Sequence, residues 1–120
     1  MGQSIIIYEQ DDLMRALLEE WLRNAGYRVH GVASHSPPVD DADLVIVSIY
    51  MPKHAGARMV DEIRAAYPGT PVVAISGQFR SGLSTAGATA QTLGVAQVIA
   101  KPLTREALLA TVRAMIGPPN

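Results

Sequence analysis

Residues 44–52 read LVIVSIYMP. Leu44 to Ile49 is an apolar run broken only by Ser48, with none of the polar alternation of a strand that keeps one face in water. A run of this length and continuity marks a strand covered on both faces, the kind found in parallel sheets. Ser48 stands near its carboxyl end, and Met51-Pro52 turns the chain away. A covered parallel strand requires crossover connections, so the flanking sequence must supply helices.

It does so in alternation. Ile5 to Tyr8 is a short β-branched strand that stops at acids, and Asp11 or Asp12 is placed to cap a helix. Leu13, Leu17, Leu18, Trp21 and Leu22 then recur at helical spacing, with Arg15, Glu19, Glu20 and Arg23 assigned to the outer face. Asn24-Ala25-Gly26 ends that helix, and Tyr27 to Val32 reads as the second strand. After Ile49, Met59, Val60, Ile63 and Ala66 mark a helix that stops before Pro68-Gly69. Val72 to Ile75 and Val95 to Ala100 are the fourth and fifth strands, separated by a polar loop punctuated by Gly77, Gly82 and Gly87 and a weak helix before Gly94. Thr104 caps a last helix carrying Leu108, Leu109, Val112, Met115 and Ile116. Strand and helix in alternation predict an α/β domain with a parallel sheet and helices on both faces.

Composition bounds the function. The 120 residues make one domain, expected over residues 1–120. The formal net charge is -1 and there is no basic run, so nothing argues for nucleic acid. There are no cysteines, which excludes disulfides, thiolate metal sites and thiol catalysis. No apolar stretch approaches the length of a membrane span, and no signal peptide is read at the start. Met1-Gly2 lacks a myristoylation context, because Ile6 stands where Ser or Thr is required. The expected compartment is the cytoplasm, with no membrane association. His30, His35 and His54 show no ligand spacing and read as surface or turn residues.

In sheets of this kind ligands sit beyond the carboxyl ends of the strands. Those ends carry Glu9, Gln10 and Asp11 after the first strand, Ser48 after the third, Ser76 after the fourth and Lys101 after the fifth. Residue chemistry alone leaves two readings: a weak anion or metal pocket, or ordinary polar strand ends.

Four segments go further: IIIYEQDD at 5–12, SIYMPKHAG at 48–56, VVAISG at 72–77 and GVAQVIAKPL at 94–103. Over essentially its whole length the chain resembles the receiver (response regulatory) domain of two-component response regulators. Met51 at +3, Pro52 at +4 and Gly56 at +8 from Ser48 fall as that family places them after its phosphorylated aspartate. The resemblance implies a flavodoxin-like (βα)5 three-layer sandwich with parallel sheet order 2-1-3-4-5 and the first and last helices on one face. The segment between Tyr27 and Asp43 is short and carries Pro37-Pro38, so the second helix is expected to shrink to a turn near Pro37 to Asp41.

In the family, two acids after the first strand and the acceptor aspartate hold Mg2+, while a Ser or Thr and a Lys grip the phosphoryl oxygens. Carried over, Ser76 and Lys101 match the phosphoryl contacts and Glu9 matches the first acid. Gln10 takes the place of the second acid and Ser48 that of the phosphoacceptor. Val98 falls at the switch position, where many receivers carry an aromatic residue. The resemblance also implies a cis Lys101–Pro102 bond aiming Lys101 at Glu9 and Ser48. Arg80, in the glycine-bearing loop, reads as solvated.

An aspartate is already an anion at neutral pH, whereas a serine hydroxyl needs a base to take its proton. Mg2+ asks for hard anionic oxygens, and Gln10 and Ser48 replace two carboxylates with neutral groups. The expectation is therefore a degenerate receiver: no catalysis, a weak or absent Mg2+ site at Glu9 and Gln10, and no other cofactor. Such a chain acts as a protein interaction module in two-component phosphorelay signalling. Its expected partner is a histidine kinase, a regulator or another receiver, with a homodimer or partner contact on the small-residue helix around Ala86, Gly87, Ala88 and Ala90. The alternative is a phosphorylatable receiver with altered acceptor chemistry at Ser48 or Asp11. A nucleotide or flavin binder is disfavoured, because no glycine-rich phosphate loop follows the first strand.

Overall fold

The computed structural model describes residues 3–32, 42–48, 53–76, 97–100 and 104–118; at 53–59, 76, 97–98 and 100 it describes the backbone alone. The elements are β1 (Ser4–Tyr8), α1 (Asp12–Asn24), β2 (Arg28–Val32), β3 (Leu44–Ser48), α2 (Lys53–Ala66), β4 (Val72–Ser76), β5 (Gln97–Ala100) and α3 (Arg105–Ile116). All strands are parallel, in the order β2-β1-β3-β4-β5, as the sequence predicts. The shortened second helix, the helix before Gly94 and the Lys101–Pro102 bond lie outside the described residues, as do Arg80 and His35.

Side-chain alternation sorts the sheet into two cores. Ile6, Tyr8, Val45, Val47, Val72 and Ala74 face Val60, Ile63 and Tyr67 of α2 and the turn after it. Ile5, Ile7, Leu44, Ile46, Val73, Ile75 and Ile99 face Leu18 and Leu22 of α1 and Leu108 and Val112 of α3. The first and last helices therefore share one face. The whole of β3 is buried, which is why LVIVS carries no alternation. Burial of each such aliphatic side chain contributes about 1.5–3 kcal/mol, and β3 is the strand where that sum is densest.

The boundaries follow local chemistry. Asp11 caps α1, its Oδ1 accepting from the amides of Leu13 (2.9 Å) and Met14 (3.0 Å). Gly26 closes the helix at φ 107°, a backbone that a β-carbon would resist. Thr104 caps α3 by accepting from the Ala107 amide at 3.0 Å.

One expectation is corrected. Leu13 and Leu17 do not join the core: they are 85% and 37% exposed, whereas Leu18 and Leu22 are fully buried. At about 100° per residue, Leu13 sits some 140° around the helix from Leu18. Apolar residues three to five apart do not form one stripe here: only the Leu18–Leu22 row, with Met14, Trp21 and Ala25 beside it, packs on the sheet. Of the charged residues assigned to the outer face, Glu20 and Arg23 are exposed, but Arg15 and Glu19 are not. The Arg15 and Glu19 side chains are only 21% exposed and lie over β2.

Candidate functional site

Chain order makes the crevice. After β2 the chain crosses to the opposite side of β1 and forms β3, so β1 lies between the two. The carboxyl ends of β1 and β3 thus flank the point where the winding reverses, which is where open α/β sheets hold their ligands. Tyr8 pairs with Val47, so Glu9 and Ser48 follow side by side on strands about 4.8 Å apart. On the other flank Ser48 pairs with Ile75, and Ser76 pairs with Ala100. The backbone thereby brings the ends carrying Glu9, Ser48 and Ser76 to one edge of the sheet. Val98 pairs with Ala74 within β5. Lys101 and the side chains of Ser76, Val98 and His54 lie outside what is described.

Glu9 is buried, 1% exposed. Its amide extends the β1–β2 ladder by donating to the Val32 carbonyl at 3.0 Å. Its Oε2 accepts from the Asp11 amide at 3.1 Å, folding the carboxyl back over the turn. Gln10, next in the chain, is exposed. Asp11 is committed to the helix cap, and Asp12, 84% exposed, is paired with Arg15. His30 is exposed, as predicted.

Ser48 is 3% exposed, and its Oγ has no hydrogen-bond partner among the described residues. A buried hydroxyl without a partner costs about 1–3 kcal/mol in desolvation. Ser48→Ala is therefore expected to leave the melting temperature unchanged or to raise it, by up to about 1 kcal/mol in stability. Thermal unfolding of the two proteins checks this; a clear loss in the variant would reveal a bond that Ser48 makes.

The donor set does not suit the divalent cation that the resemblance implies. Mg2+ prefers carboxylates free to approach it in octahedral array. Here one strand end offers a neutral hydroxyl, Gln10 a neutral amide, and Asp11 an oxygen already shared by two amides. Among the described residues no group of three or more His, Cys, Asp or Glu is arranged to hold a metal ion.

Arg15 was missed as part of this region. Its Nη1 donates to the Glu9 carbonyl at 2.9 Å and its Nη2 to Asp12 Oδ1 at 2.6 Å, so one guanidinium ties the end of β1 to the first turn of α1. The Asp12–Arg15 spacing of i,i+3 was the signal available in the sequence. The buried pair Tyr8–Tyr67, hydroxyl to hydroxyl at 3.0 Å with the rings edge to face, was also not foreseen.

Comparison with known proteins places this geometry. Residues 5–113 match the family described as the response regulator receiver domain. The chain is 30% identical over 108 residues to the Regulator of RpoS of Escherichia coli (strain K12), covering 86% of this chain and 31% of that protein. The chain thus spans about a third of the length of that relative. A response regulator from Thermotoga maritima superimposes with a TM-score of 0.81 at 17% identity, covering 97% of this chain and 98% of its own. The Vibrio cholerae chemotaxis protein CheY4 does so with a TM-score of 0.74 at 19% identity, covering 96% and 99%.

Proposed function

Because the chain belongs to the response regulator receiver domain family, we infer that it is a signalling module that works through protein contacts and not through phosphoryl transfer to itself. The observation that carries this reading is Ser48. It stands where the family's acceptor is expected, 3% exposed, with no hydrogen-bond partner among the described residues. A serine nucleophile needs an adjacent base, and no described group is in hydrogen-bond contact with this hydroxyl. Gln10 in place of an acid weakens Mg2+ binding, which the family uses to neutralise the approaching phosphoryl group. What remains is the receiver fold as a surface for a histidine kinase, a regulator, another receiver or a second copy of the chain. No helix among the described residues is long and apolar enough to cross a membrane, in keeping with such a module.

The alternative, transfer to Asp11, finds no support in the geometry. Its Oδ1 already accepts two helix amides, which commits this carboxylate to capping α1. Intact mass after incubation with acetyl phosphate and Mg2+ tests the reading. The expected result is an unchanged mass; one added phosphoryl group mapping to Ser48 or Asp11 would overturn it.

A further inference from the structure

We propose that the outer edge of β2 is a strand-addition site for an extended acidic segment of a partner protein. β2 ends the sheet order, and β1 is the strand that pairs with it. The ladder fixes which groups point outward. Arg28 donates its amide to the Gln3 carbonyl, and the Val32 carbonyl takes the Glu9 amide, so Arg28, His30 and Val32 turn their backbone groups to β1. Val29 and Gly31, between them, turn theirs away from the sheet. Arg23 covers one of these groups, its Nη2 donating to the Val29 carbonyl at 3.0 Å. The amides of Val29 and Gly31 and the Gly31 carbonyl have no hydrogen-bond partner among the described residues. Gly31 also has no side chain to shield its edge, because the Arg15 stem and the Glu19 carboxylate fill the place where a β-carbon would stand.

An open edge of this kind is a template for another strand, and charge decides which strand it admits. The charge here has one sign. Arg28 and His30 are both exposed and stand on the face that carries Ile6 and Tyr8. Neither forms an ion pair or a side-chain hydrogen bond among the described residues. A second copy pairing β2 with β2 would set these basic side chains against their own counterparts, which disfavours self-addition. A segment with carboxylates at alternate positions would instead place them opposite Arg28 and His30, at the close spacing of cross-strand neighbours. Its other side chains would fall on the α1 side, beside half-buried Val29, where β-branched residues fit. The occupant is therefore an extended segment alternating acidic and β-branched residues. The proposal adds a contact surface to the module reading and does not depend on Ser48.

The test titrates the 120-residue chain with a capped peptide of about seven residues alternating Val and Glu, and follows backbone amide signals and amide exchange. In the free protein the amides of Val29 and Gly31 are expected to exchange at least about tenfold faster than those of Arg28, His30 and Val32, which the β1 ladder protects. The peptide should shift the Val29 and Gly31 signals saturably and slow their exchange by about tenfold or more. Raising KCl from about 50 mM to about 500 mM should weaken binding about tenfold, and a peptide with Lys in place of Glu should leave the signals where they were. Arg28→Glu, a change at an exposed and unpaired side chain, should weaken binding by at least about tenfold. Val29→Pro removes an outward donor and no bond to β1, and should abolish binding; Arg28→Glu keeps the test open where Val29→Pro does not fold. Val29 and Gly31 amides that already exchange slowly in the free protein would overturn the proposal. So would an acidic peptide that shifts neither signal, a Lys peptide that binds as well, or an Arg28→Glu variant that binds as before. Light scattering that shows a dimer with these two amides protected would assign the edge to a second copy and overturn the acidic partner. Phosphoryl labelling of Ser48 would sink the previous reading and leave this one standing.

Discussion

Given acetyl phosphate and Mg2+, Ser48→Asp and Gln10→Asp are each expected to remain poor phosphoacceptors, while the double variant labels far better than the two single effects combined. The reason lies in which charge each change restores. Ser48→Asp supplies a nucleophile that is already ionised, but places it on the strand beside buried Glu9 with one neutral ligand still at Gln10. At an effective dielectric of about 20, two like charges ~4 Å apart repel by roughly 4 kcal/mol. A barrier raised by that amount suppresses a rate by about a thousandfold. Gln10→Asp supplies a metal ligand but no nucleophile. Only the pair rebuilds three carboxylates that hold Mg2+ and let it offset the incoming phosphoryl charge. Residues acting as one unit are strongly non-additive, so the cycle of two singles and the double measures the coupling directly. Intact mass gives the extent of labelling. If Ser48→Asp alone labels as fully as the double variant, Gln10 is no defect and the metal argument fails.

The same positions show how far the sequence could be read. The strand LVIVS declared its own environment, because continuous apolar character has one economical meaning in a chain of alternating helices. That reading, extended outward, yields a parallel sheet with helices on both faces; the strand order and the placement of α1 and α3 on one face come from the resemblance. Ser48 was located by the spacing of Met51, Pro52 and Gly56, and its burial follows from ending a covered strand. What periodicity did not resolve was which row of α1 touches the sheet. Leu13 was drawn to the core by its chemistry, while the angular arithmetic places it in water.

Nor was the wiring of the β1–α1 turn legible. A reader of EQDD sees three acids and an amide, and assigns them to metal or solvent. In the fold, Asp11 is consumed by two amides, Glu9 by a third, and Asp12 by a guanidinium three residues on. Such assignments depend on where backbone donors fall in the first turn of a helix. They also depend on Gly31, a residue of another strand whose missing side chain makes room for Arg15 and Glu19. Neither is local in sequence.

Above about pH 10, the ordinary range of tyrosine ionisation, the protein is expected to lose stability steeply. Tyr8 in one core and Tyr27 in the other set this limit. The Tyr8 hydroxyl resists ionisation because burial penalises the phenolate, and because it shares a hydrogen bond at 3.0 Å with Tyr67, whose hydroxyl adds a smaller electrostatic effect. Tyr27 is raised too, by burial, against a partial offset from Arg113; its hydroxyl donates to the Gly117 carbonyl at 2.8 Å and ties down the end of α3. Both folded values lie above the unfolded one, so from about pH 10 upward the unfolded chain binds fewer protons than the native one. The stabilisation is whole below that pH and is lost as pH climbs toward the folded values, at up to about 1.4 kcal/mol per pH unit for each tyrosine. Melting temperature should hold between about pH 7 and 9 and then fall. Tyr8→Phe should lower stability at neutral pH, since it strips Tyr67 of its buried partner, yet should make the alkaline decline shallower. Direction separates the two effects, and neither follows from the other. The phenolate absorbance that disappears on comparing wild type with Tyr8→Phe should arise together with unfolding. If it arises instead near pH ~10 in a protein that is still folded, Tyr8 is open to solvent and its pairing with Tyr67 is not formed.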